Sequence, residues 1–79
     1  MTKLIRIFSS VLGIDESIVT PDLSPKTAPT WDSLNAIILL TEIEKAFDVR
    51  FEYEEAMTVN NFGDVLHLVS LKGKDPYEA

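Results

Sequence analysis

The chain contains no cysteine, which removes disulfide staples, thiolate nucleophiles and cysteine-ligated zinc together. It holds one histidine, His67, so no His-x-x-x-His metal pair can form. Of its three glycines, none belongs to a phosphate-cradling loop or to a Gly-x-Ser-x-Gly nucleophile elbow. Basic residues are scarce too: seven stand against thirteen acidic ones, for a net charge of −6. That balance repels phosphate backbones and anionic lipid and attracts basic protein surfaces, so neither nucleic acid nor membrane is expected as a partner. No apolar run approaches the roughly 20 residues that span a bilayer. The opening Met-Thr-Lys-Leu-Ile-Arg is too short and too charged for a signal peptide. A soluble, cytoplasmic monomer is the expectation.

What remains is a chain of 79 residues, 46% of them apolar. That suffices for one compact domain near the lower edge of independent stability, roughly 4–12 kcal/mol at ordinary per-residue values. Leu4, Ile5, Phe8, Val11 and Leu12 recur on one helical face, with Thr2 placed to cap its start and Gly13 its end. From Ile14 to Thr30 the pattern breaks. Pro21, Pro25 and Pro29 punctuate this stretch, each lacking an amide hydrogen and pushing its predecessor toward extended geometry. Asp15-Glu16-Ser17 suits a brief turn, and Ile14, Ile18, Val19 and Leu23 are the expected anchors of the loop.

Asp32 then opens the clearest helix, to about Phe47, with Ala36, Leu39, Leu40, Ile43 and Phe47 as its buried stripe. Asp48-Val49-Arg50 ends it, and Phe51 is expected to return to the core. Tyr53 to Met57 reads as one or two helical turns. Asn60 or Asn61 caps a last helix with Phe62, Val65, Leu66 and Val69 on its apolar face and Gly73 beyond its end. The expected fold class is all-α: a small four-helix bundle with three principal helices, one short helix and a long first loop. One domain is expected over 1–73, with 74–79 as a frayed C-terminal tail. The start at Met1 and the lack of long flanking linkers favour a discrete, stand-alone protein.

Catalytic constellations are missing. His67 falls on an exposed helical phase, where a surface histidine is the ordinary reading. Glu52, Glu54 and Glu55 suit a solvated face better than a pair of working carboxylates, because nothing near them in sequence would bury or perturb them. No enzyme is expected.

One junction is specific. Trp31-Asp32-Ser33-Leu34 joins the proline-rich loop to the strongly amphipathic helix. Asp-Ser-Leu at such a corner, among acidic helices, resembles the acyl carrier protein family. The likeness runs from Val11-Leu12-Gly13-Ile14 to Val69. It includes Glu42-Ile43-Glu44-Lys45-Ala46-Phe47 with Asp48-Val49, similar to the end of the family's second helix. Phe51-Glu52-Tyr53-Glu54-Glu55-Ala56 is similar to its third. The resemblance implies that Ser33 receives 4'-phosphopantetheine from coenzyme A, and that an acyl group hangs from the arm's thiol as a thioester. It also implies three kinds of partner: a phosphopantetheinyl transferase, an acyl- or aminoacyl-loading enzyme, and a downstream synthase or transferase.

The chemistry of the corner agrees. In the first turn of a helix, unpaired amides and the dipole favour a negative group such as a phosphodiester. Asp32 as N-cap would sit beside it; the plainer alternative is that Asp32 and Ser33 only cap a helix. Many family members have a glycine two residues before Asp-Ser-Leu, where this chain has Thr30-Trp31. The tryptophan variant resembles carriers of specialised pathways, whether fatty acid, polyketide or related.

At about 100° per residue, Leu34, Ile38, Thr41 and Lys45 fall together opposite the buried stripe. Leu34, Ile38 and Thr41, with Glu44 nearby, are therefore the expected partner-binding face. Ala36, Ala56, Met57, Val59 and Leu66 are the candidate lining of an acyl pocket, small or pliable residues that ordinary core packing would also explain. An aminoacyl or peptidyl carrier keeps the arm and changes the cargo; a non-catalytic helical adaptor keeps the apolar face and has no arm.

Overall fold

The computed structural model describes residues 2–79; Met1, on which the expectation of a discrete chain partly rested, lies outside them. Four helices follow in order: α1 (Lys3–Leu12), α2 (Ser33–Phe47), α3 (Tyr53–Met57) and α4 (Phe62–Leu71), with a 3-10 turn at Glu16–Ile18 in the first loop. No strand occurs among the described residues. The expected all-α bundle of three principal helices and one short one is the fold.

Each helix begins where local chemistry places a cap. The Thr2 hydroxyl accepts from the Ile5 amide at 3.1 Å, Asp32 from that of Asn35 at 2.9 Å, and Asn61 from that of Asp64 at 2.8 Å. These bonds satisfy amides that the first turn of a helix leaves unpaired. The ends are equally local. Gly13 closes α1 at φ 65 and Asp48 closes α2 at φ 56, left-handed geometry that glycine adopts freely and aspartate tolerates.

Leu4, Phe8 and Leu12 of α1, Leu39, Ile43 and Phe47 of α2, and Phe62, Val65 and Val69 of α4 are all buried. Three aromatic rings sit at the centre. Phe8 meets Trp31 edge to face with ring centroids 5.2 Å apart, and Phe62 in the same way at 4.8 Å. Such pairs add about 0.5–1.5 kcal/mol each beyond area burial.

The long loop is held by the last helix. Phe62 N donates to Leu23 O at 2.8 Å and Gly63 N to Pro21 O at 3.0 Å, so loop carbonyls satisfy first-turn amides of α4. A Cβ on Gly63 would stand 3.3 Å from Pro21 O, so a side chain there would crowd the contact. Val19 and Leu23 are the buried anchors, joined by Ala28.

Three features differ from the sequence reading. Ile18, expected as an anchor, is 50% exposed because it ends the 3-10 turn on the solvent side. Leu68 is buried in α4 although the apolar face was drawn without it. Residues 74–79, set apart above as a frayed tail, run back to α1. Lys3 N donates to Glu78 O at 2.8 Å, Lys3 Nζ pairs with the Glu78 carboxylate, and Pro76 is buried.

Candidate functional site

The corner before α2 is built by a string of short backbone bonds. Trp31 N donates to Ala28 O at 2.9 Å and Asp32 N to Thr30 O at 3.0 Å. Asn35 ties the loop down from the helix side, its Nδ2 donating to Thr30 O at 2.7 Å. Trp31 is buried at 6% exposure, so the indole fixes the corner from below while the next three residues lie at the surface.

Ser33 is the first residue of α2 and is exposed. Its hydroxyl makes no hydrogen bond to another described residue, and neither do the amides of Ser33 and Leu34. Asp32 takes the Asn35 amide through its side chain and that of Ala36 through its carbonyl. Two free amides therefore lie at the positive end of the helix that begins with Ser33. A phosphodiester on the Ser33 oxygen fits the donors present.

Beyond Ser33 along α2 the exposed surface is apolar. Leu34 is 67% exposed and Ile38 39%, as their phase predicts, and Thr41 is exposed beside them. Ile37 belongs to the same patch at 64% exposure; the sequence reading missed it. Ile37-Ile38-Leu39-Leu40 is a longer apolar run than one buried stripe can absorb, which was the available signal. No charged residue occurs from Ser33 to Thr41. Glu44, half-buried, stands one turn beyond Thr41 at the end of the patch. Its carboxylate accepts the Phe51 amide at 2.9 Å and so holds the turn between α2 and α3.

The expected pocket residues divide. Ala36, Ala56 and Val59 line one cavity of about 60 Å³, walled by Phe8, Trp31 and Ile43. That is about twice the ~30 Å³ share of one liquid water. Met57 is 64% exposed and does not line the cavity. Leu66 faces a separate groove with Pro21, Pro76 and Tyr77. The short α3 turns Ala56 inward and Met57 outward, and Leu66 follows the side of α4 that meets the loop.

His67 is exposed on α4. No group of three or more metal-ligating side chains gathers among the described residues, and no described helix is long and apolar enough to cross a membrane.

No protein-family model matches the chain. Curated relatives do. Over 63 residues it is 32% identical to an acyl carrier protein of Syntrophobacter fumaroxidans, an overlap of 80% of this chain and 78% of that protein. Over 69 residues it is 33% identical to an acyl carrier protein of Rubrobacter xylanophilus, covering 87% and 85% of the two chains.

Proposed function

Because the chain belongs to the acyl carrier protein family and is a carrier, not an enzyme, we propose that it tethers biosynthetic intermediates as thioesters on a phosphopantetheine arm at Ser33. The observation that carries this reading is the exposed, unbonded Ser33 hydroxyl at the first position of α2, with the Ser33 and Leu34 amides free beside it. Those amides and the helix dipole would hold the phosphate of the arm. When attached, the arm supplies a terminal thiol that carries the acyl group as a thioester. Asp32 keeps the corner in shape by capping α2. Tethering raises the local concentration of the intermediate at each enzyme that docks.

Leu34, Ile38 and Thr41, joined by Ile37, are the proposed partner face. A transferase, a loading enzyme and a downstream synthase or transferase are the proposed partners, in a cytoplasmic, specialised pathway. Ala36, Ala56 and Val59 mark the place where a carried chain would enter the core. At about 60 Å³, that space takes a longer chain only if α3 moves away.

Incubation with coenzyme A and a broad-range phosphopantetheinyl transferase, followed by intact mass, tests the reading. One added phosphopantetheine unit is expected, absent in Ser33→Ala. An unmodified wild-type chain, or a label on another side chain, would favour the adaptor.

A further inference from the structure

Past the apolar ridge, the C-terminal part of α2 carries charges of opposite sign on its two sides. Between α1 and α2 lies an open groove of about 520 Å³ whose rim carries Lys3, Arg6 and Lys45 against one acid, Glu42. Lys3 is engaged by Ala46 O and by Glu78. Arg6 and Lys45 are exposed and form no ion pair among the described residues. A chain of net charge −6 thus places two unpaired cations along one side of its arm-bearing helix.

The opposite flank is acidic. Glu44 joins α2 to the segment before α3, and Glu52 and Glu54 stand exposed just beyond it. Arg50 is the nearest cation in sequence, and Glu55 is neutralised by Lys72 at 2.7 Å. N-terminal to these charges, Ser33 to Thr41 is uncharged.

We propose that the enzymes acting at Ser33 seat α2 in a polarised cleft, apolar at its floor, basic along the α3 side and acidic along the α1 side, with Arg6 and Lys45 as attractive contacts. This rests on the carrier reading. Transfer of an arm onto the Ser33 hydroxyl brings the transferase's catalytic centre to that oxygen, so the occupant of the ridge is the enzyme itself. Net charge steers two molecules together without orienting them. Flanks of opposite sign set which way round the carrier sits and disfavour the reversed pose.

The sign of one effect separates this from steering by overall charge. If a uniformly basic enzyme reads only the net charge, making the groove more acidic improves docking. A polarised cleft makes it worse. The test is phosphopantetheinylation by the transferase of the cell the chain comes from, with coenzyme A saturating and carrier concentration varied. For Arg6→Glu/Lys45→Glu, KM is expected to rise about ten-fold with kcat unchanged, the range of rim-charge effects on encounter. Arg6→Gln/Lys45→Gln should lie between this variant and wild type. Glu54→Lys should raise KM as well. Circular dichroism of each variant checks that the helices persist. Unchanged or lowered KM in Arg6→Glu/Lys45→Glu, with wild type modified normally, overturns the polarity alone. A wild-type chain that accepts no arm overturns the carrier reading and this one with it.

Discussion

Trp31, Asp32 and Ser33 are consecutive and answer to three different forces. The indole of Trp31 is held by apolar burial and by its edge-to-face contact with Phe8. The Asp32 carboxylate is held by the Asn35 amide, and the Ser33 hydroxyl is free. Truncating the first therefore damages the fold, truncating the second damages one helix end, and truncating the third damages neither. Trp31→Ala should cost about 3–5 kcal/mol, the range for large-to-small aromatic changes in cores. Asp32→Ala should cost about 1 kcal/mol and Asp32→Asn much less, because asparagine caps equally well. Ser33→Ala should stay within about 0.5 kcal/mol of wild type, as expected of a surface position. Urea denaturation of the four variants checks the order, and a Ser33→Ala loss as large as that of Trp31→Ala would contradict it.

Among the elements, α3 is the least anchored. It spans Tyr53–Met57 and has no buried residue. Its attachment is polar: the Glu52 amide donates to Glu55 at 2.8 Å, and Lys72 of the α4 C-cap reaches the same carboxylate at 2.7 Å. The Glu52 amide first, and Lys72 second, hold the Glu55 carboxyl below its ordinary pKa. A carboxylate with a lowered folded pKa stabilises the fold above the unfolded value and loses that contribution as pH falls through the lowered one. Amide exchange in α3, corrected for intrinsic rates, should therefore speed up relative to α2 on acidification below the ordinary glutamate range. In Glu55→Gln the difference should be largely gone, with α3 already loosened at neutral pH. Equal pH dependence in wild type and Glu55→Gln would show that the clamp does not act this way.

The same contrast explains what could be read in advance. Thr2, Gly13, Asp32 and Asn61 end or begin helices through chemistry within a few residues, and the sequence displays that chemistry directly. The place of Ser33 at the first position of α2 was legible for the same reason, since Asp32 just before it is the cap. Ile18, Ile37 and Leu68 were misjudged because their burial depends on which distant element arrives beside them. Met57 and Leu66 were misplaced for a related reason. A five-residue helix is too short to reveal its phase, and only the loop's approach to α4 shows which side Leu66 serves.

At the scale of the whole molecule, the described chain closes on itself through its ends and through its longest loop. The radius of gyration of 11.2 Å is close to the roughly 11.6 Å expected for a compact domain of this length. Closure at the termini rests on the Lys3 amide and Glu78 carbonyl, the Lys3–Glu78 pair and buried Pro76. Ending the chain at Lys74 should lower stability by about 1–2 kcal/mol, one net hydrogen bond and one exposed ion pair with a little apolar burial. An unchanged urea midpoint would return the segment to the status of a frayed tail.

The buried indole two residues before Ser33 has a last consequence, and it is optical. Trp31 is the chain's only tryptophan, it walls the small cavity beside Ala36 and Ala56, and its neighbours in sequence form the corner proposed to carry the arm. Its emission should therefore serve as a built-in gauge of where cargo resides. A chain lodged against the indole would shift the emission maximum or its quenching by iodide, stepwise with the number of carbons loaded. Cargo left in solvent would leave the spectrum as it is in the bare protein.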